Sequence, residues 1–109
     1  MTPKPILPLL FVLLLLCACT GKSTVEGKAT YDQYCARCHS GGNSGAPQLN
    51  NPKAWEKRLT KGEEALAVHS IHGYSGPTGI MPARGGHAGL SNASVRDAVA
   101  YMMEQLHTH

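Results

Sequence analysis

Two thiols and an imidazole lie within five residues of this 109-residue chain, in the stretch C-A-R-C-H. On a helix, Cys35, Cys38 and His39 would stand at positions i, i+3 and i+4, so their side chains would share one face. Such a face suits a flat ligand whose edge is held by two thiols while the imidazole reaches its central metal. C-x-x-C-H is the attachment signature of c-type haem, in which the sulfurs form thioethers and the histidine binds the iron. The spacing therefore predicts one covalent haem c, with His39 as an axial ligand.

Three other uses of these cysteines compete with haem attachment. A structural zinc site needs four ligands, and no second cysteine pair remains if Cys17 and Cys19 leave with an export signal or carry lipid. A thioredoxin-like dithiol requires a βαβ setting, which the helical pattern of this chain does not provide. An ordinary disulfide between Cys35 and Cys38 is chemically possible in an exported protein. Haem attachment is the favoured interpretation.

Met81 is the candidate for the second axial position. Of the four methionines, Met1 is the initiator and Met102 and Met103 fall in the last predicted helix, whereas Met81 lies in a loop rich in glycine and proline. Pro82 favours an extended backbone at Met81, which can present the side chain inward. A loop methionine can also simply fill a gap. Rival ligands are His69, His72 and His87, of which the first two are expected on the solvated side of one helix.

Helical spacing predicts the elements that would position these residues. Side chains three and four apart predict a helix over residues 25–39, which carries the C-A-R-C-H stretch at its end. Residues 40–49 form a loop by composition. Asn51 as N-cap and Pro52 as first helical residue begin a second helix, which ends near Gly62.

The second half of the chain predicts two more helices and a long loop. One helix spans residues 63–72, with acidic residues in its first turn and Gly73 at its end. Residues 74–90 form a loop that is long for so small a domain, which indicates that it wraps a ligand. Ser91 caps the last helix. No stretch alternates with period two, so the predicted class is all-α. The apolar stripe of the last helix consists of Val95, Ala98, Val99, Met102 and Leu106.

The first 19 residues have the pattern of an export signal. A short basic start precedes an apolar run of 14 residues, 6–19, shorter than the roughly 20 residues that a membrane span needs. The stretch L-C-A-C ending at Cys19 resembles a bacterial lipobox, although Cys17 stands where a smaller residue is usual. We expect Cys19 to be acylated, residues 20–26 to be a tether and residues 27–109 to be the domain; simple cleavage of the signal is the alternative.

Charge excludes one class of partner. Ten Lys and Arg against seven Asp and Glu give a net charge of +3, and removal of Lys4 with the signal lowers it to +2. No basic run or stripe interleaved with aromatic residues occurs, so binding to nucleic acid is not expected.

The chain resembles a known family, the small class I cytochromes c, and among them the short bacterial cytochrome c-five kind. The resemblance covers about residues 27–103. It rests on C-A-R-C-H, on G-A-P-Q-L, on A-W-E-K-R followed by G, on G-I-M-P-A-R-G-G and on the closing helix L-S-N-A-S-V-R-D-A-V-A-Y-M. It implies a few short helices, about four, wrapped around one covalently attached haem.

The same resemblance implies roles for particular residues. Met81 would be the second axial ligand, the carbonyl of Pro47 would accept a hydrogen bond from His39, and Trp55 would pack near the haem propionates. Members of this kind often carry a further cysteine pair after the methionine loop, where this chain has His87 and Leu90, so that disulfide is missing. From their residue types alone, Arg58 and Arg84 are candidates to neutralise propionates or ordinary surface charges, and the tyrosines Tyr31, Tyr34 and Tyr74 are interpreted as core or pocket wall.

An iron with two protein ligands has no open position for a substrate, so we expect an electron carrier and not an enzyme. The expected setting is the periplasm, with a lipid anchor at Cys19 and transient contacts with redox donors and acceptors of respiratory electron transfer. Two alternatives remain. A haem-based sensor of small ligands would need Met81 to be absent from the iron or easily displaced, and a fixed haem subunit of a larger oxidoreductase would behave as an interaction protein.

Overall fold

The computed structural model describes residues 2–4 and 20–108. The predicted export signal falls outside these ranges except for residues 2–4, and Cys19, the predicted site of lipid attachment, lies outside them. Within the described ranges, no helix has both the length and the apolar character needed to cross a membrane.

The described chain is mainly helical, which confirms the predicted all-α class. Helix α1 (Thr20–Thr30) continues through a π-helical turn (Tyr31–Cys35) into α2 (Ala36–His39), and α3 (Pro52–Leu59) and α4 (Glu63–His72) follow. A short antiparallel hairpin of β1 (Tyr74–Gly76) and β2 (Gly79–Met81) and a 3₁₀ turn (Ala83–Gly86) then lead to the long helix α5 (Asn92–His107).

The N-terminal helix begins earlier than predicted. The backbone of residues 20–26, which we expected to be a tether, is helical in the structure, and its role as a link to a membrane stays a prediction. Gly27 belongs to the packing of this helix. A Cβ atom at Gly27 would lie 2.1 Å from the carbonyl oxygen of Asp97 in α5, so glycine is what allows the two helices to cross this closely.

Helix ends elsewhere follow the predicted signals in most places. Helix α4 has the predicted bounds, and Gly73 ends it with a φ of 86°, a left-handed conformation that glycine adopts without steric cost. The Ser91 hydroxyl accepts a hydrogen bond from the amide of Ser94 at 3.0 Å, the expected cap of α5. Asn51 precedes α3, but its side chain makes no capping hydrogen bond.

The predicted loop over residues 74–90 contains the hairpin. Tyr74 pairs with Met81, and Gly76 pairs with Gly79. Strands of three residues are too short to show an alternating pattern, so the sequence carried no signal for them.

The core lies where α5 meets α1, the π-helical turn and α4. The whole predicted stripe of α5 is buried, and Met103, which the stripe left out, is buried with it. The ring of Tyr31 packs against that of Tyr101 with centroids 5.3 Å apart. The buried core residues are Tyr31, Trp55, Ala67, Ile71, Val95, Ala98, Val99, Met102, Met103 and Leu106.

Candidate haem site

The C-A-R-C-H stretch lies on the last turns of the N-terminal helical segment. Cys35 ends the π-helical turn, and Cys38 and His39 belong to α2. Cys35 is half-buried and Cys38 is exposed, the two form no disulfide with each other, and His39 is buried at 8% exposure. All three side chains line one cleft, so the structure brings together the group that helical spacing predicted.

His39 is held by the loop that follows α2. Its Nδ1 lies 2.8 Å from the carbonyl oxygen of Pro47, the contact that the resemblance implies. Because a carbonyl can only accept, Nδ1 carries the proton and Nε2 is left as the unprotonated nitrogen, which is the form that binds a metal. Burial lowers the pKa of His39 and the nearby charge of Arg58 acts in the same direction, although the Pro47 bond opposes them. A neutral imidazole is therefore favoured at this position.

Gln48 organises the same loop, and the sequence analysis missed it. Its side-chain amide donates to the carbonyl oxygens of Cys38 at 2.8 Å and Ala46 at 3.1 Å, and its Oε1 accepts from the amide of Gly41 at 2.5 Å. Its own carbonyl accepts from Nε1 of Trp55 at 2.9 Å. The G-A-P-Q-L motif marked the segment, but no local pattern indicates what the glutamine contacts.

Met81 reaches the same cleft from the other half of the chain. It is the last residue of β2, half-buried, and lines the cleft together with both cysteines and His39. A Cβ at Gly73 would lie 3.2 Å from the Met81 carbonyl oxygen and 3.1 Å from the amide of Ala83. The methionine loop thus packs directly on the end of α4. Met102 and Met103 also line the cleft, but they lie on α5 within the packed core.

The cleft has the composition that a haem requires. Its walls are largely apolar, and burial raises the pKa of the Cys35 thiol to about 11, with the neighbouring Cys38 thiol adding to the effect. Two thiols, one neutral imidazole and apolar walls suit an apolar macrocycle that is held at its edge and at its iron. The apolar side chains among the cleft walls include Trp55, Leu66, Val95, Val99 and Met102.

Comparison with known proteins decides the family. A family model described as cytochrome C oxidase, cbb3-type, subunit III, matches residues 22–102. Cytochrome c-555 of Chlorobaculum tepidum is 51% identical over 79 residues, which are 72% of this chain and 73% of that protein. The chain is a class I c-type cytochrome. It therefore carries covalently bound haem c and belongs with electron-transfer proteins rather than enzymes.

Other relatives of this cytochrome agree. Cytochrome c-555 of Chlorobaculum thiosulfatiphilum is 48% identical over 72% of this chain and 92% of that protein. Cytochrome c-551 of Halorhodospira halochloris is 33% identical over 74% of this chain and 99% of that protein. A crystal structure described as an electron transfer complex of nitrite reductase with cytochrome c aligns with a TM-score of 0.64, at 38% identity, over 74% of this chain and 94% of the matched one.

The rival histidines of the cytochrome occupy different places. His69 was expected on the solvated side of α4, which is wrong: it is half-buried, lines the cleft and stacks on Tyr74 with ring centroids 4.2 Å apart. The reason is the hairpin, which places Tyr74 against this face of α4. His72 is exposed. His87 is exposed too, and its ring meets the ring of Tyr34 edge-on at 4.8 Å.

The two candidate propionate partners differ in what they already contact. Arg58 lines the cleft, donates to the carbonyl oxygen of Ala54 and reaches Oγ1 of Thr78 at 3.1 Å. Arg84 also borders the cleft, but its guanidinium is directed to the start of α5. Trp55 is buried, with its ring 5.7 Å from that of His39. Of the three tyrosines, Tyr31 belongs to the core, and Tyr34 and Tyr74 line the cleft.

Proposed function

We propose that this cytochrome is a periplasmic one-electron carrier in which His39 and Met81 are the axial ligands of the haem iron. The observation that carries the proposal is that Met81, although 42 positions after His39, lines the same cleft as His39 and the two thiols. Haem iron supplies the one-electron chemistry, and a neutral thioether ligand favours the ferrous state and raises the reduction potential. The chain's part is to hold both ligands in place and to leave no coordination position open.

The covalent attachment is tested by denaturing the purified protein in acid acetone. Because thioether bonds survive this treatment, haem should stay with the polypeptide, and the mass should exceed that of the bare chain. Replacement of both Cys35 and Cys38 by Ala should leave little folded protein, since the haem fills much of this small core. A mass equal to the bare chain would exclude attachment.

The ligation by Met81 is tested by spectroscopy. The oxidised protein should show the weak sulfur-to-iron charge-transfer band at the red edge of the visible spectrum, and the reduced protein should not bind carbon monoxide. Met81→Ala should lose the band, bind carbon monoxide and have a lower potential. Met102→Leu and Met103→Leu are the matched controls, because both side chains border the cleft, and each should keep the band.

A band that persists in Met81→Ala would overturn this ligand assignment, and its loss in one of the α5 variants would identify the ligand instead. Ready binding of carbon monoxide by the wild type would favour the sensor alternative. A bis-imidazole spectrum with a low potential would direct mutation to His69 first, since it lies in the cleft wall, and then to His72 and His87.

The location in the periplasm and the membrane anchor rest on the first 19 residues of the sequence. Expressed in a bacterium with a lipoprotein pathway, the mature protein should begin at Cys19, carry acyl chains and partition into detergent. More than one chain is expected, because a single acyl chain anchors only marginally. Cys19→Ala should be soluble or unprocessed. An N-terminus beyond residue 19 without lipid would exclude the anchor.

A second candidate function is that of a fixed subunit in a larger oxidoreductase, which the description of the matching family model as an oxidase subunit favours. The neighbouring structure, described as an electron transfer complex with nitrite reductase, favours transient partners of respiratory electron transfer. Weakly bound partners have small interfaces, so a mobile carrier should separate from other proteins in high salt. Stable co-purification at high salt would support the fixed subunit.

A further inference from the structure

The loop after Met81 contains an arginine in an unusual backbone conformation. Arg84 has a φ of 55°, and no other described residue except glycine has a positive φ. The Cβ atom of any other residue makes this left-handed region unfavourable, whereas glycine, which has no Cβ, adopts it freely. The next two residues, Gly85 and Gly86, share the conformation. A glycine at position 84 would suit the backbone better, and the hydrogen bonds of the arginine side chain offset part of this conformational cost.

That side chain connects the loop to α5. Arg84 Nη1 donates to the carbonyl oxygen of Leu90 at 2.7 Å, and Nη2 donates to Oδ1 of Asn92 at 2.6 Å. Hydrogen bonds from a charged guanidinium are stronger than those between neutral groups. One side chain therefore spans the loop from its near end, three positions after Met81, to its far end.

The far end is a firm anchor. Asn92 is the first residue of α5, directly after the capping Ser91. Leu90 packs against the core cluster. Asn92 therefore belongs to α5 itself, whereas Leu90 is the last residue of the loop and is held by its packing against the core.

The loop also packs on the end of α4 at Gly73, and the other hydrogen bonds described for it do not reach α5. The amide of Gly85 donates to the carbonyl oxygen of Pro82 at 3.1 Å, and the amide of Leu90 donates to the carbonyl oxygen of His87 at 3.0 Å. Both bonds join residues of the loop to each other. The edge-on contact of His87 with Tyr34 is exposed at the surface. Among the hydrogen bonds described for residues 82–90, the one from Arg84 to Asn92 is the one in which a side chain reaches α5.

We propose that Arg84 is a positioning residue for Met81. Its hydrogen bond to Asn92 ties the loop of residues 82–90 to the first turn of α5, and its hydrogen bond to the Leu90 carbonyl joins the two ends of that loop. Together they limit how often the Met81 side chain leaves the cleft. The role rests on the proposed ligation of the iron by Met81. The hydrogen bonds of Arg84 also restrain, without a covalent link, the segment that contains His87 and Leu90.

The test measures how fast the ligand position opens. Imidazole is added to the oxidised holoprotein, and the rate at which it displaces the sulfur ligand is followed through loss of the charge-transfer band. At saturating imidazole this rate reports the opening of the loop. Arg84→Gly, which removes the side chain but suits the backbone, should open about tenfold faster, equivalent to about 1.4 kcal/mol. Arg84→Lys should lie between Arg84→Gly and the wild type, because it keeps the charge but not the two-pronged geometry.

Two further variants separate this role from a general loss of stability. Asn92→Ala removes one acceptor and should open about threefold faster, while combining it with Arg84→Gly should add nothing to the effect of Arg84→Gly. Arg96→Ala is the matched control, since Arg96 ties α5 to Glu64 of α4 in an exposed ion pair, and it should leave the rate unchanged. Amide hydrogen exchange at Gly85 and Leu90 should accelerate in Arg84→Gly, but not within α5.

The possible results are distinguishable. A wild type without the band would overturn the ligation by Met81 and with it the role of Arg84. A wild type with the band, together with an opening rate in Arg84→Gly within twofold of it, would overturn the role of Arg84 alone. Should Arg84→Gly fold poorly, Asn92→Ala decides in the same way, because an unchanged rate there would show that the bond to α5 does not restrain the loop.

Discussion

Replacement of Gln48 by Ala should weaken the connection between α2 and the loop that holds His39. The glutamine side chain makes hydrogen bonds to Gly41, Cys38 and Ala46. Alanine removes all three, but it keeps the backbone carbonyl that accepts from Trp55. The variant therefore tests the side chain without removing the Trp55 contact.

The expected loss follows from those bonds. A typical intramolecular hydrogen bond contributes about 0.5–1.5 kcal/mol net of the competing bonds with water. Gln48 is half-buried and its partners Gly41 and Cys38 are exposed, so the lower value applies to each. The loss of three bonds then lowers the free energy of unfolding by about 1.5 kcal/mol. Each kcal/mol lost lowers the thermal unfolding midpoint of a domain of this size by about 4–8 °C. We expect the midpoint to fall by about 6–12 °C.

The assay is thermal unfolding of the oxidised holoprotein, followed by circular dichroism and by the main haem absorption band. Gln48→Glu keeps an acceptor for Gly41 but loses both donated bonds, so its midpoint should fall between those of Gln48→Ala and the wild type. Gln33→Ala is the control, because Gln33 is exposed on the π-helical turn. A decrease of less than about 2 °C for Gln48→Ala, well below the range expected for a domain of this size, or an equal decrease for Gln33→Ala, would refute the reasoning.

Three further predictions concern the framework of the site. Gly27→Ala should destabilise the domain by about 1–3 kcal/mol, because the new methyl group would overlap the carbonyl of Asp97 and force α1 and α5 apart; urea unfolding measures this, and an unchanged midpoint would contradict the crossing. Ser91→Ala should cost about 1 kcal/mol by leaving the amide of Ser94 without its cap, and Ser91→Thr should restore most of it. Met103→Ala should cost about 2–5 kcal/mol as a cavity in the core, whereas a loss below 1 kcal/mol would show that the site collapses or is less packed than described.

The attachment of haem could be predicted from sequence because its determinants are adjacent in the chain. Cys35, Cys38 and His39 share a face through helix geometry alone, and the thioether chemistry depends on that local spacing. The same reasoning succeeded for α4 and for the stripe of α5, where caps and apolar periodicity act within a few residues. It did not detect the hairpin, since strands of three residues have no period to detect.

The contacts that restrain the site could not be predicted in this way. Gln48 reaches Gly41 and Cys38 across a loop, His69 faces the cleft because the hairpin stacks Tyr74 on it, and Arg84 extends to the start of α5. From the sequence, Arg84 was a candidate partner for a propionate and His69 a solvated side chain. Nothing in the residues near either one indicates otherwise.

The sequence by itself determined which chemistry the protein performs, through five consecutive residues, and which segments are helical, through propensities and caps that act over one or two turns. Only the tertiary structure decided which side chains meet the haem cleft from other segments and which ones restrain it. The physical reason is the range of the interactions. Helix geometry relates residues up to four positions apart, whereas the contacts of Gln48, His69 and Arg84 form only when packing around α5 and the hairpin has brought separate loops together.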